Sequence, residues 1–314
     1  MTKRTSKGRR KYVFLKVVLS VVVLMAAVSG ARIGLALRQV KQHSQISQAS
    51  PVPLASTSHL MIMPVFESWA KSDAFRSGHG VSYVVETDHT TILLDLGNNE
   101  ARTLPSPLEH NLAELERDIS PADIVVITHN HPDHVGGNAS WRKGSFVLPA
   151  GVSAPVYTPV DLRHPSHESV LVTESREIAP GVALLGRLPY LNPFPFLLWD
   201  PLGWEQSLVV NVEGKGLVVI IGCGHPSLQS IVLAAEAQFG IPVAGVFGGL
   251  HYGLASEQEL QPDIDFLSLR NPQLVGLSPH DSSGAVLQIY AAAFPEAYRY
   301  ITIGWPVFFP GAKE

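Results

Sequence analysis

The sequence predicts an α/β body of two sheets with helices over their outer faces, preceded by one N-terminal membrane-crossing helix. Three observations carry that expectation. Short Val- and Ile-rich runs bounded by turn residues recur from residue 59 onward, three helical patterns lie between them, and a long apolar stretch follows a basic head.

The N-terminal element comes first. Six cations precede Tyr12, and Val17–Ala31 is an apolar run without charge that resumes beyond Arg32. As a helix, residues 13–37 would cover roughly the 30 Å of a bilayer core, with Lys16 and Arg32 snorkelling. The basic head places residues 1–12 in the cytoplasm and the body outside it. Val28-Ser29-Gly30 offers a small-residue cleavage site, so a secreted or periplasmic body after signal cleavage is the alternative. Because apolar character continues past that site, the reading is an uncleaved signal anchor. Residues 38–58, with "RQVKQHSQISQASPVP", form a polar linker to a body spanning 59–314.

Within the body, "HLMIMPVFES", "GVSYVVET", "TILLDLG", "DIVVITH" and "GSFVLPA" read as strands, followed by "VALLGRL", "SLVVNVE", "GLVVIIG", "PVAGVFGG", "QLVGLSP" and "YITIGW". "SPLEHNLAELERD", "PSLQSIVLAAEAQFG" and "SGAVLQIYAAAFPEA" carry apolar residues at helical spacing. Residues 180–206, rich in Pro, Leu and aromatics, read either as a packed surface loop or as an apolar flap that touches a membrane.

Composition narrows the chemistry. Cys223 is the one cysteine, which excludes an intrachain disulfide and a cysteine-rich zinc module. Residues 1–50 hold ten of the 23 basic residues and no acid, leaving 13 against all 27 acidic residues in the remainder. An acidic body disfavours a nucleic-acid surface, so no nucleic-acid partner is expected.

"DIVVITHNHPDHVGGN" holds the densest chemistry. His129 and His131 alternate after a buried strand and project to one side. Asp133 and His134 follow where Pro132 starts a turn, giving two donor pairs aimed at neighbouring points. Imidazole and carboxylate suit zinc, iron or manganese.

"THNHPDHVGG" resembles the HxHxDH signature of the metallo-β-lactamase fold superfamily. The chain is similar to its branch of metal-dependent hydrolases related to dihydropterin-ribofuranosylaminobenzene-phosphate synthase. "GHGVSYVVETDHTTILLDLG", "EQSLVVNVEGKGLVVIIGCGHP", "VFGGLH", "SPHDSSG" and "YITIGW" extend the resemblance in the same order. It implies a four-layer αββα sandwich with divalent metal, zinc first and iron or manganese as alternatives, in a cleft at one edge of the sheets. His129 and His131 would hold a first ion with His225, and Asp133 and His134 a second with His280. Asp95 matches the superfamily's early aspartate, which organises the metal loops. His251 is expected to contact substrate or act as an acid, with metal binding as the alternative, and His79 to be structural rather than cleft-lining. Where most members bridge two ions with aspartate, this chain offers Cys223, which leaves one or two ions open. Asp281 stands where the branch commonly has cysteine, and could support His280, join the metal site or alter substrate choice.

The expected function is metal-assisted hydrolysis of an ester, lactone, amide or phosphoester in a small-molecule substrate. Asp133 would orient the attacking water and His251 protonate the leaving group. The alternatives are group transfer of the synthase type and a non-catalytic metal-binding scaffold of the same fold.

Overall fold

The computed structural model describes residues 5–43, 51–193, 196–198 and 200–310. By contacts the chain divides into two units: Met1–Gln45 with Pro189–Gly203, and Ile46–Leu188 with Trp204–Glu314.

The second unit holds two sheets. The first runs in the order β15-β1-β2-β3-β4-β5-β6, formed by Val307–Phe309, Leu60–Phe66, Ser82–Thr87, Thr91–Leu94, Ile124–Val126, Val156–Thr158 and Ser169–Leu171 respectively. The second runs β14-β13-β12-β11-β8-β7, formed by Leu274–Leu277, Val243–Gly248, Gly216–Ile221, Leu208–Val212, Val182–Leu184 and Arg176–Ala179. Strand alternation sorts the apolar residues into layers. Leu60 and Ile62 of β1, with Leu208 and Val210 of β11, enter the core between the sheets. Met61 and Met63 face the other way and pack with Leu108 and Leu112 of α2 (Pro107–Glu114). Val209 and Val219 pack under α4 (Leu228–Phe239), α5 (Glu257–Ser268) and α6 (Gly284–Ala293), while the four-residue α3 (Asn138–Trp141) follows the histidine-rich loop. The result is helix, sheet, sheet, helix, as the resemblance implies.

Some local expectations change. "GSFVLPA" is a loop with a single bridge from Ser145 to Arg163, and "YITIGW" makes one isolated bridge, from Ile303 to Ala70, instead of a strand. α5 forms with Pro262 in its interior, where the missing N–H forfeits one i→i−4 bond, and Ser256 and Glu259 make a capping box at its start.

The parallel strand pairs decide where chemistry can occur. β3 and β4 are parallel to each other, as are β12, β13 and β14. Their carboxyl ends therefore emerge together at one edge of each sheet, the usual place for a site in sheets of this kind.

In the first unit, α1 (Thr5–His43) is 39 residues long, so residues 5–12 and 38–43 are also helical instead of belonging wholly to a tail and a linker. Tyr12–Gln42 is long and apolar enough to cross a membrane. β9 (Leu188–Leu191) and β10 (Leu202–Glu205), of which residues 189–191 and 202–203 belong to this unit, form a two-stranded ribbon whose 3-10 turn, Phe196–Leu198, packs against α1. The helix is exposed over most of its length but buries Ala36, with Ile33 and Val40 half-buried on that face. Leu191, Phe196 and Leu198 stay exposed at the ribbon's tip.

Candidate metal centre

Each donor follows a buried strand. β4 is fully buried, and three residues after its end comes His129, whose backbone bridges Glu205. The next turn closes with His134 N–H donating to the His131 carbonyl at 3.1 Å, and Val81 N–H donates to the Asp133 carbonyl at 3.3 Å. Gly80 permits that docking: its φ is +124°, and a Cβ there would strike the Asp133 backbone. Across the cleft, β12 ends in the turn carrying Cys223 and His225, β13 leads to His251, and β14 leads to His280.

Two groups of donors result. Asp133, His134, Cys223 and His280 form one, and His129, Cys223 and His225 the other; within each, the donor atoms lie within 4.8 Å of one another. His131 adjoins the second group, its Nδ1 lying 3.0 Å from His129 Nε2 and 3.2 Å from His225 Nε2. Cys223 belongs to both groups, with its Sγ 3.2 Å from both His134 Nε2 and His280 Nε2. The one thiol of the chain thus stands where an ion-bridging ligand would stand.

The other ring nitrogens fix the tautomers. His134 Nδ1 donates to Asp95 Oδ2 at 2.7 Å. Thr128 Oγ1 donates to the same oxygen at 2.7 Å, so it accepts from His129 Nδ1 at 3.0 Å. On the other side, Ser278 Oγ donates to Glu67 Oε1 and accepts from His280 Nδ1 at 2.5 Å. Three imidazoles therefore aim their Nε2 atoms into the cleft. With His131, His225 and the Cys223 thiol they make a buried cluster of contacts near 3 Å, an arrangement that a cation satisfies once it displaces the protons of His134 and Cys223.

Electrostatics agree. Burial holds His129 and His280 well below the ordinary histidine range. Burial and the neighbouring His134 lower His131 to about 4, and burial with His131 and His251 lowers His225 to about 2. These four are neutral ligands at pH 7. Burial disfavours the His134 cation, but Asp95 and Asp133 outweigh it and raise the residue to about 9. Burial raises Asp133, yet His134 and the His79 bond hold it well below the carboxylate range. Burial, with nearby carboxylates, pushes the Cys223 thiol well up. Imidazole, thiol and carboxylate together suit zinc or iron better than magnesium or calcium.

Several residues have places that the sequence leaves open. His251 is exposed at a φ of +52°, its ring 4.7 Å from that of His225, and its N–H donates to Asp281 Oδ2 at 2.8 Å. Asp281 thus positions the His251 backbone, with its Oδ2 3.9 Å from His280 Nε2. His79 lies in the cleft and not in a packing role: its Nε2 is 3.1 Å from Asp133 Oδ2 and its side chain is 66% exposed. Glu205, Glu67, Ser278 and Thr128 escape the sequence reading. Glu205 matters most, because its carboxylate accepts N–H bonds from Cys223, Gly224 and His225 at 3.0, 2.9 and 2.9 Å and so shapes the turn between both groups. Glu205 ends β10, three residues before β11, and its burial is visible only in the structure.

The model of the metallo-beta-lactamase superfamily matches residues 76–240, more than half of the chain. The chain belongs to the metallo-beta-lactamase superfamily. A curated relative, the 7,8-dihydropterin-6-methyl-4-(beta-D-ribofuranosyl)-aminobenzene-5'-phosphate synthase of Methanocaldococcus jannaschii, is 25% identical over 250 residues, covering 68% of this chain and 85% of its own. Among solved structures, a metal-dependent hydrolase of the beta-lactamase superfamily superposes with a TM-score of 0.60 at 21% identity, covering 79% of this chain and 98% of that one. The metallo-beta-lactamase fold protein YhfI from Bacillus subtilis gives 0.50 at 13% identity, covering 80% and 99%. At these identities the two structures speak for the fold, and members of the metallo-beta-lactamase superfamily typically bind divalent metals.

Proposed function

We propose that the chain is a membrane-anchored metal-dependent hydrolase acting on an ester, lactone, amide or phosphoester of a small molecule. The observation that carries it is the pair of donor groups sharing Cys223, with His129, His134 and His280 locked as Nε2 donors. His129, His131 and His225 would hold one ion, and Asp133, His134 and His280 the other, zinc being the first choice. A divalent metal held there would supply Lewis-acid activation of water at neutral pH and a charge that polarises the electrophile. The ionised Asp133 carboxylate accepts a hydrogen bond from the attacking water and orients it; so depressed a carboxylate is a weak proton store. His251, exposed beside His225, is placed to give the leaving group its proton. Thr128, Asp95, Ser278 and Glu67 keep the imidazoles from rotating. The test is the full chain in nanodiscs assayed on ester, lactone, amide and phosphodiester panels. Turnover that disappears on chelation and returns with zinc is expected; stoichiometric metal with no turnover on any panel would point to a scaffold.

Group transfer is the second reading, favoured by the synthase relative aligning over 85% of its length. It predicts turnover only when a nucleophile other than water is supplied.

The anchor reading places residues 1–12 in the cytoplasm and the body outside, by the positive-inside tendency. The apolar ribbon tip then lies in the bilayer beside the anchor on which it packs. An environment-sensitive fluorophore on Leu24→Cys, Leu198→Cys or Leu269→Cys separates these statements, with wild-type labelling as the Cys223 background. Apolar emission is expected at 24 and 198 and aqueous emission at 269. Aqueous emission at 198 alone would remove the ribbon from the membrane, whereas aqueous emission at 24 would remove the anchor.

A further inference from the structure

We propose that a cavity of about 760 Å³ bounded by α2, α3 and the 143–149 loop binds an amphipathic anion, a molecule with an apolar body and one sulfonate-, carboxylate- or phosphate-like head. Its size is that of a small-molecule site. Its floor is apolar, with Leu96, Leu108 and Phe146 all at 4% exposure or less. Arg102, Lys143 and Arg163 line the rim, and no Asp or Glu lines the cavity. The remainder of the chain after residue 50 carries 27 acids against 13 bases, so three cations without an acid run against its local average. Among the described residues, none of the three makes an ion pair or side-chain hydrogen bond. Glu109, which caps α2, is occupied by Ser106 and by the Ala150 N–H. Asn98, also in the lining, has a buried Oδ1 with no partner, and the amide turned over would present N–H₂ donors, the group that an anionic head accepts from. Cations at the mouth recognise the head and a dry floor takes the body. None of the metal-centre donors lines the cavity, so occupancy is independent of metal.

The test uses the full chain in phosphatidylcholine nanodiscs and calorimetric titration with naphthalene-2-sulfonate, which no hydrolase activity consumes, corrected for empty discs. One equivalent is expected to bind, with neutral naphthalene-2-sulfonamide and inorganic sulfate each at least tenfold weaker. Arg163→Ala and Lys143→Ala should each weaken binding at least threefold, Ala139→Phe should abolish it by filling the space, and chelation should leave it unchanged. Wild-type affinity in both charge variants, sulfate binding as tightly as naphthalene-2-sulfonate, or loss of binding on chelation would overturn the proposal. Exchange of the disc lipid for phosphatidylglycerol identifies the natural source. Competition would support a site that takes bilayer lipid, and unchanged binding a site that takes a soluble metabolite.

Discussion

Alanine at both His129 and His131 is expected to leave the purified protein with at most one zinc per chain and hydrolysis at least 10³-fold below wild type, of the order lost when catalytic machinery is removed. Elemental analysis after dialysis at pH 8.5 should give two zinc ions for the wild type. The double substitution removes two of the neutral nitrogens that face His225, while Asp133, His134, Cys223 and His280 remain. The pH dependence has a definite sign. His134, raised to about 9, holds its second proton below that pH, and this proton burdens the Asp133 group alone, whereas the proton of the shared Cys223 thiol weighs on both groups. A cation must displace those protons, so affinity for the Asp133 group falls by roughly tenfold per pH unit for each proton displaced. His131, at about 4, offers a free nitrogen throughout that range. Wild-type protein moved from pH 8.5 to 6 should lose the ion of the Asp133 group and keep the other. Unchanged turnover in the double variant would refute the proposed mechanism.

Glu205→Gln should be nearly as damaging without touching a donor atom. The carboxylate offers two acceptor oxygens to three N–H groups of one turn. An amide keeps one acceptor and turns its own N–H₂ towards donors, leaving at least one buried N–H unpaired. Such a group costs about 1–3 kcal/mol, or a fall in Tm of roughly 4–8 °C for about 2 kcal/mol in a body of this size. Because the turn carries both Cys223 and His225, metal affinity should fall about 10–100-fold. Calorimetric unfolding and a competitive zinc titration measure the two effects. A variant with wild-type Tm and wild-type affinity would show that the turn keeps its shape unaided.

Those two experiments probe parts of the centre that differ in how far the sequence disclosed them. The histidine knot was legible because its donors lie within six residues and follow an apolar strand. The layered body was legible because Leu60, Ile62, Met61 and Met63 alternate cleanly between two cores. Glu205 was not legible, since its partners are backbone groups 18 to 20 residues away that leave no side-chain pattern. Glu67 and Ser278 are 211 residues apart and meet only when the two sheets pack. α5 was hidden by Pro262, and "GSFVLPA" imitated a strand although Phe146 is buried and Val147 is 55% exposed on a loop. Local pattern reports faces and periods; it does not report which distant backbone a buried acid will hold.

The division of the donors between the sheets has a thermodynamic corollary. His129, His131, Asp133 and His134 follow β4 of the first sheet, whereas Cys223, His225 and His280 follow β12 and β14 of the second. Any ion held by either group is therefore a rivet through the sandwich, and ligation and sheet docking become one cooperative event. A ligand that binds only the docked form at a thousand times its Kd adds about 4 kcal/mol to the body's resistance to unfolding. Metal supply would then set the lifetime of this protein as well as its turnover.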